Sequence, residues 1–343
     1  MIRLYGINEA EQWDAVVHSF TAWDVYYLSG YVKAFQIHGD GEPYLLYYEG
    51  DGIKAIDTYM KRRTANEGVY DIATPYGYGG VLFEGDPSER KIQLFWAEYL
   101  EAMRHEGIVD GFVRYHPVLK NATLMKPISN VTDLSKTVAM DLSSPEVIWK
   151  NLSVKNHNMI RKSERNGIEI RHGKGLALLE HFRMMYNSTM ERDDAQSYYF
   201  FGPAFYESIH NDLKDHYEVF YALLNGEIIA MSIILTGSNQ MHYHLAGSKV
   251  EYRDLAPSNL LLYKAAIWGF ENGFHFFHLG GGVGSGKDNV YRFKAAFNRK
   301  SNYQFSVGKQ IYDQGKYDAC VALRASQDPD FNPESTFFPL YRA

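Results

Sequence analysis

The sequence has almost no cysteine and no long apolar run, and each absence excludes a class of protein. Cys320 is the only cysteine among 343 residues, so an intrachain disulfide and a multi-cysteine metal cluster are excluded. The opening residues Met1–Gly6 lack the apolar core of a secretory signal. No stretch approaches the ~18 consecutive apolar residues that span a bilayer. We therefore expect a cytoplasmic protein without a transmembrane segment.

Excess positive charge is also lacking. The chain has 35 Lys and Arg against 41 Asp and Glu, a formal net charge of −6, and a nucleic-acid partner usually needs a broad basic surface. Basic side chains concentrate only in residues 150–171, where Lys155, Lys162 and Arg165 recur at helical spacing. Two interpretations stay open for this segment: a solvated helix face, or a site for a phosphate-bearing ligand. We expect no DNA partner.

Two halves of the sequence show the same order of elements. In the second half, Asn225-Gly226 predicts a tight hairpin, and a helix from Pro257 to Gly273 precedes a short strand. In the first half a hairpin at Gly50–Gly52 is followed by a helix ending at Gly107 and by another strand. The repetition predicts an α/β fold with mixed sheets and two duplicated domains.

We place the domain boundary just before a polar, basic linking helix over about 145–166, which we count in the second domain. Ser143 and Glu146 have the spacing of a capping box at its start, and Pro145 suits its first turn. The predicted domains are 1–142 and 143–343.

Three motifs for other chemistry are weak. Gly281–Asp288 resembles a phosphate-binding P-loop with Lys287, but Asp288 stands where a Ser or Thr hydroxyl is needed, so a flexible glycine loop is favoured over an NTPase. His242 and His244 alternate on one predicted strand without a recurring acidic or cysteine partner, so we expect no metal. The sequence also has no Gly-x-Ser-x-Gly elbow for a nucleophilic serine.

Several segments of the sequence, most of them in the C-terminal half, resemble a known family. The resemblance rests on five runs and on the basic helix Trp149–Ile170. The runs are Thr74–Gly80, His242–Ala246, Leu255–Leu261, His278–Gly282 and Tyr291–Lys294. These residues look like the FemABX peptidyltransferases and their relatives in the GNAT (Gcn5-related) N-acyltransferase superfamily. The resemblance covers most of the chain and implies two tandem GNAT-like domains.

The resemblance also implies an activity. FemABX enzymes transfer an amino acid from aminoacyl-tRNA to a peptidoglycan precursor, and GNAT relatives transfer an acyl group from acyl-CoA to an amine. It implies an acyltransferase with no tightly bound cofactor, which uses acyl-CoA or aminoacyl-tRNA as co-substrate. The acceptor would be a small or nucleotide-linked cell-envelope precursor, with peripheral contact to a lipid-linked one as a further possibility.

Site residues follow from the same resemblance. The family's Phe-Lys pair falls on Phe293 and Lys294, and the lysine would stabilise the negative oxygen of the transition state. The other carried-over contacts to substrate are Lys33, Tyr76, Tyr78, Arg114, Arg192, His244, Arg253 and Tyr291. Of these, Lys33 and Arg192 would bind a pyrophosphate.

Two departures from the family pattern leave alternatives open. His116-Pro117 stands where peptidoglycan-building members carry Asp-Pro, so His116 is either a proton acceptor or a structural histidine. The CoA-binding turn reads Arg253-Asp254-Leu255-Ala256-Pro257-Ser258, with Arg253 kept and the glycines missing. A non-catalytic module that binds the precursor is the alternative to an enzyme, and an NTPase is the less favoured one.

Overall fold

The computed structural model describes residues 1–283, 286 and 288–343, and Lys287 of the P-loop-like motif lies outside them. The chain divides into two compact units. The first unit contains residues 1–134 and 305–343, and the second contains residues 135–304. Among the described residues, no helix is long and apolar enough to cross a membrane.

The first unit is a mixed sheet with helices. Its elements, in chain order, are β1 (Ile2–Gly6), α1 (Ala10–His18), α2 (Ser29–His38), β2 (Glu42–Gly50), β3 (Ile53–Arg63), β4 (Tyr70–Ala73), β5 (Leu82–Gly85), α3 (Glu89–His105), β6 (Ile108–Arg114) and α4 (Ala122–Met125). The chain then enters the second unit within β7 (Val131–Asp141).

The second unit continues with α5 (Pro145–Asn151), α6 (Val154–Arg165), β8 (Glu169–Gly173), α7 (Leu176–Arg192), α8 (Pro203–Ser208), β9 (Tyr217–Leu224), β10 (Glu227–Thr236), β11 (Gln240–Ser248), α9 (Pro257–Glu271), β12 (Phe276–Gly280) and α10 (Asn289–Ala295). The chain returns to the first unit within β13 (Tyr303–Ile311), and α11 (Gln314–Gln327) follows.

The strands of each unit are hydrogen-bonded in a defined order. In the first unit the order is β1-β2-β3-β4-β6-β13, with β5 also paired to β3. In the second unit the order is β7-β12-β11-β10-β9-β8. In each unit one neighbouring pair is parallel, β4 with β6 and β11 with β12, while the flanking pairs are antiparallel. A parallel pair needs a crossover, which α3 and α9 provide.

The two units repeat one order of elements, as the sequence predicted. That order is strand, two helices, three antiparallel strands, helix and strand: β1 to β6 in the first unit, where β5 is an additional strand after β4, and β8 to β12 in the second. Both predicted hairpins are confirmed. Asp51-Gly52 and Asn225-Gly226 have positive φ at both central residues, the conformation that matches the twist of a two-residue hairpin.

The linking helix differs from its prediction. Residues 145–166 form two helices rather than one, because the helix is interrupted at Ser153. The Ser153 side chain caps α6 and accepts from the Asn156 N–H. The cap of α5 is Ser144, whose hydroxyl accepts from the Val147 N–H, so the expected capping residue Ser143 is wrong by one position.

The compact units also differ from the expected domains 1–142 and 143–343. Residues 305–343 belong to the first unit, where β13 pairs antiparallel with β6 from Val307↔Arg114 to Ile311↔Asp110. Pairing between distant segments is a tertiary property, and no composition change in the sequence marks the return of the chain.

Candidate functional site

The second unit has an opening, by which we mean the unpaired edge of β11 beyond its parallel pairing with β12. β11 and β12 pair only at Gln240↔Phe276, Met241↔Phe277 and His242↔His278, although β11 continues to Ser248. Beyond His278, the register of β12 against β7 shifts by one residue. From Tyr243 onward, β11 therefore no longer pairs with β12, and this edge of β11 is the opening.

A β-bulge lies at the same point of β11. Ile233 pairs with Leu245 and Ile234 pairs with Tyr243, so His244 is the extra residue. Burial lowers the pKa of His244 to about 3, with nearby His242 acting in the same direction. His244 is therefore neutral at physiological pH. A bulge re-aims side chains and backbone groups beside a site, and the role of His244 as a substrate contact stays a prediction.

Lys294 lies at this opening. It is in the last turn of α10, its Nζ donates to the Gly281 carbonyl at 2.8 Å, and it lies 5.9 Å from the ring centroid of Tyr243. Gly281 directly follows β12, and Tyr243 is the first residue of β11 beyond the parallel pairing. Burial lowers the pKa of Lys294 to about 8, and Asp288 opposes that shift. At neutral pH the side chain keeps its positive charge.

Short helix α10 is fixed by its cap and by aromatic packing. Asp288 accepts from the backbone N–H of Tyr291 at 2.7 Å and also from that of Val283. Tyr291 and Phe293 are half-buried against the core of the second unit, and the Phe293 ring lies 5.4 Å from that of Phe297. Tyr291 and Phe293 therefore anchor the helix that carries Lys294, and Asp288 is a capping residue that the sequence analysis considered only as a P-loop position.

The turn between β11 and α9 matches the position of the expected CoA-binding turn. Val250–Leu255 forms a 3-10 segment, and Ala256 has φ 55° and ψ 45°, the left-handed conformation that favours glycine. The turn therefore keeps a glycine-type backbone although the glycines are missing. Arg253 is exposed in this turn, and the first N–H groups of α9 have no acceptor within the helix.

The basic helix α6 holds this turn in place. The Ser163 hydroxyl donates to the carbonyls of Leu255 and Ala256, at 2.6 and 2.8 Å. Asn259 of α9 donates to the side chain of Asn156 at 2.7 Å. The sequence predicted α6 as a charged surface, but Ser163 and Asn156 on its buried face were missed, because only the packing shows their role.

Arg192 and Gly247 join α7 to β11. Arg192 donates to the Ser248 carbonyl at 3.0 Å and to the Asp193 carboxylate. A Cβ on Gly247 would lie 2.9 Å from the Met185 carbonyl oxygen, so only glycine allows α7 to approach the strand this closely. Arg192 thus has partners within its own unit, and its role in binding a pyrophosphate stays a prediction.

The first unit contains the other predicted site residues. His116 is fully buried. Its Nδ1 accepts from the Leu119 N–H at 3.1 Å, its backbone N–H donates to Asn121, and its Nε2 lies 3.5 Å from Asp24. With Nδ1 accepting, the ring proton belongs on Nε2, facing the carboxylate. Both interpretations of His116, as a proton acceptor and as a structural histidine, stay predictions.

The glycine–tyrosine loop lies among aromatic rings. The ring of Tyr78 is 5.7 Å from that of His116 and 5.8 Å from that of Tyr26, and burial raises the pKa of Tyr78 well above its usual range. Tyr76 is stacked 6.3 Å from Phe35 of α2, and its carbonyl accepts from Tyr31. Tyr78 is therefore a neutral hydrogen-bonding group at physiological pH.

The two basic residues of the first unit that the resemblance expected to contact substrate, Lys33 and Arg114, are half-buried. Arg114 at the end of β6 donates to the Thr74 carbonyl at 3.3 Å and lies 5.3 Å from the Phe112 ring. Lys33 lies on α2. The described contacts assign neither residue to a substrate, so both remain predictions.

Comparisons with known proteins agree with this architecture. A family model described as an acetyltransferase (GNAT) domain matches residues 155–309. No curated protein matches the chain in sequence. Among solved structures, FemX is similar with a TM-score of 0.70 at 12% identity, over 92% of this chain and 99% of FemX.

Two further structures share the fold at low identity. One is the C-terminal domain of a protein provisionally assigned as a lysylphosphatidylglycerol synthetase from Agrobacterium fabrum, with a TM-score of 0.59 at 14% identity over 93% of this chain and 96% of that one. The other is a conserved protein of unknown function from Bacteroides thetaiotaomicron VPI-5482, with a TM-score of 0.61 at 12% identity over 90% of this chain and 100% of that one. The chain therefore has a FemABX/GNAT-like fold, and the acetyltransferase (GNAT) family model is matched by residues 155–309 of it.

Proposed function

We propose that the protein is an acyltransferase that moves an acyl or aminoacyl group from an activated donor to an amine on a cell-envelope precursor. The donor would be acyl-CoA or aminoacyl-tRNA. The observation that carries this proposal is the position of Lys294. Its ammonium group is partly buried beside the opening between β11 and β12, and its Nζ is held by the Gly281 carbonyl.

Lys294 would act on the charge that develops during transfer. The lone pair of the acceptor amine attacks the carbonyl carbon of the ester or thioester, and the C=O electron pair moves onto oxygen. One N–H of Lys294 donates to Gly281, which leaves two for that oxygen. Collapse of the intermediate re-forms C=O and expels the thiolate or ribose oxygen. The proton lost by the attacking nitrogen passes to this leaving group, so that an amide and a free thiol or hydroxyl are formed. A fixed donor at such an oxygen contributes about 3–4 kcal/mol to transition-state stabilisation.

Features of the same unit support a phosphate-bearing donor. The left-handed turn at Ala256 leads into the N-terminus of α9, and helix N-termini attract anions. Arg253 lies in that turn, and exposed Lys155, Arg161 and Arg165 extend the positive charge along α6. CoA and tRNA both carry phosphates, so these residues support the donor class without choosing between its two members.

The test is turnover by the full-length chain with acetyl-CoA, longer acyl-CoAs and charged tRNAs, each offered with amine-bearing envelope precursors. We expect Lys294→Ala to lower kcat at least a hundredfold and leave the unfolding temperature nearly unchanged. Lys300→Ala is the matched control, because Lys300 is an exposed lysine of the same unit. Full activity of Lys294→Ala would contradict the mechanism.

A non-catalytic precursor-binding module is the second candidate. Its support is the buried aromatic surface of the first unit around Tyr78 and His116. If this function is correct, calorimetry should show that Lys294→Ala still binds the precursor. The unaltered chain should turn over no donor. Turnover by the unaltered chain, abolished in the variant, would exclude it.

A further inference from the structure

The first unit contains a narrow crevice on the α3 side of its sheet. It is lined by Asp57 of β3, by Trp96 and Tyr99 of α3, by Tyr115 and by Tyr312. Ser129, Asn130 and Gln310 add polar groups to its wall. The free volume of the crevice is about 310 Å³, including the space that is open to solvent. Its closed part has room for about one water-sized group.

One oxygen of Asp57 is unsatisfied. The side chain is 2% exposed, and its Oδ2 accepts from the Tyr99 hydroxyl at 2.8 Å. Among the described residues, Oδ1 has no hydrogen-bond partner. A buried carboxylate oxygen without a partner is costly. Protonation does not remove the cost, because an Oδ1–H group would then be a buried donor without an acceptor.

The side chains around Asp57 indicate which kind of group could bind its unsatisfied oxygen. Aromatic faces attract cations, and four of the residues that line the crevice are Trp96, Tyr99, Tyr115 and Tyr312. The Tyr99 hydroxyl already donates to Asp57, so the carboxylate needs a further donor from elsewhere. A donor that is also positively charged would both satisfy Oδ1 and neutralise the carboxylate.

We propose that this crevice binds a primary ammonium group, which donates to Oδ1 of Asp57 and lies among the rings of Trp96, Tyr99, Tyr115 and Tyr312. An ammonium ion is about the size of a water molecule and therefore fits the room available. The same chemistry is offered by free ammonium and by the end of an unbranched alkylamine. The site belongs to the first unit and uses none of the residues assigned to acyl transfer, so it stands independently of the proposed function.

The first experiment measures thermal unfolding of the full-length chain at pH 8 in potassium buffer. Ammonium chloride replaces potassium chloride at constant ionic strength. We expect the unfolding temperature to rise with ammonium, by about 3 °C at ten times the dissociation constant. Methylammonium and n-butylammonium form the second arm, and a larger shift with n-butylammonium would identify an alkylamine as the ligand. Tetramethylammonium, which has no N–H donor and is too wide, should produce no shift.

The second experiment assigns the effect to Asp57. Asp57→Asn should lower the affinity for ammonium at least tenfold. Glu101→Gln on α3 is the charge-matched control, because Glu101 is exposed on the helix that carries Tyr99, and it should leave the affinity unchanged. Bound ¹⁵N-ammonium should also give a resonance whose protons exchange slowly with water, which a merely ionic effect would not produce.

Two results would overturn the proposal. One is an unfolding temperature that responds equally to ammonium and potassium, which would mean that the crevice holds only water. The other is an ammonium shift that is equal in the unaltered chain and in Asp57→Asn, which would place the cation elsewhere. If Asp57→Asn fails to fold, the slowly exchanging ¹⁵N-ammonium resonance of the unaltered chain is the test, and its absence would overturn the proposal.

Discussion

Replacing Asp57 with asparagine should change how the stability of the first unit depends on pH. Burial raises the pKa of Asp57 from 3.8 to about 7, against the hydrogen bond from Tyr99 that lowers it. The folded chain therefore holds this proton more tightly than the unfolded chain does. The stabilisation is complete below pH 3.8 and is lost as the pH rises through 7. It amounts to about 4 kcal/mol in all, of which about 2.5 kcal/mol is lost between pH 5 and pH 8.

Asparagine keeps an oxygen for the Tyr99 hydroxyl and does not ionise. The free energy of unfolding of Asp57→Asn, minus that of the unaltered chain, should therefore increase by about 2.5 kcal/mol between pH 5 and pH 8. The assay is urea unfolding in amine-free potassium buffer, followed by hydrogen exchange of the first unit's strands. Glu101→Gln serves again as the control. A difference that stays constant across this pH range would refute the reasoning, because Asp57 would then have an ordinary pKa.

Four further predictions concern other parts of the chain. Turnover should fall about tenfold for each pH unit above ~8, because Lys294 then loses its charge; kcat at saturating donor measures this. Ala256→Gly should raise the free energy of unfolding by roughly 0.5–1 kcal/mol in urea, since it relieves a left-handed alanine. Ser163→Ala should lower it by about 1–2 kcal/mol, because two backbone carbonyls lose their donor. Asn121→Ala should cost about 2–4 kcal/mol in the same assay, since its buried amide accepts one backbone N–H and donates to backbone carbonyls. If Asn121→Ala lowers the free energy of unfolding by less than about 1 kcal/mol, these hydrogen bonds do not hold Gly79 and Val81 in place.

Local signals in the sequence predicted the repeated elements well. The Asn225-Gly226 turn and the apolar spacing of α9 depend on neighbouring residues, so hairpin and helix followed directly from the sequence. The position of Lys294 came from a resemblance in sequence, and its surroundings needed the structure. Tyr243 lies close to its ammonium group, but the two residues are far apart in the chain.

Three features of the site and fold depend on distant contacts and left no local signal. The bulge at His244 is visible only from the register against β10. The left-handed turn at Ala256 lacks the glycine that would have marked it. Asp57 lies in β3, which also contains Lys54 and Thr58, and its missing partner follows from burial that no spacing rule predicts.

The route of the chain has a consequence for its synthesis. The first unit needs β13 beside β6, but residues 135–304 are made before β13 emerges. At about 5–20 residues per second, the ribosome takes on the order of ten seconds or more over that segment. The continuous second unit can thus fold on the ribosome before β13 is available to pair with β6. Until then the edge of β6 is unpaired, so chaperones or other strands can bind it.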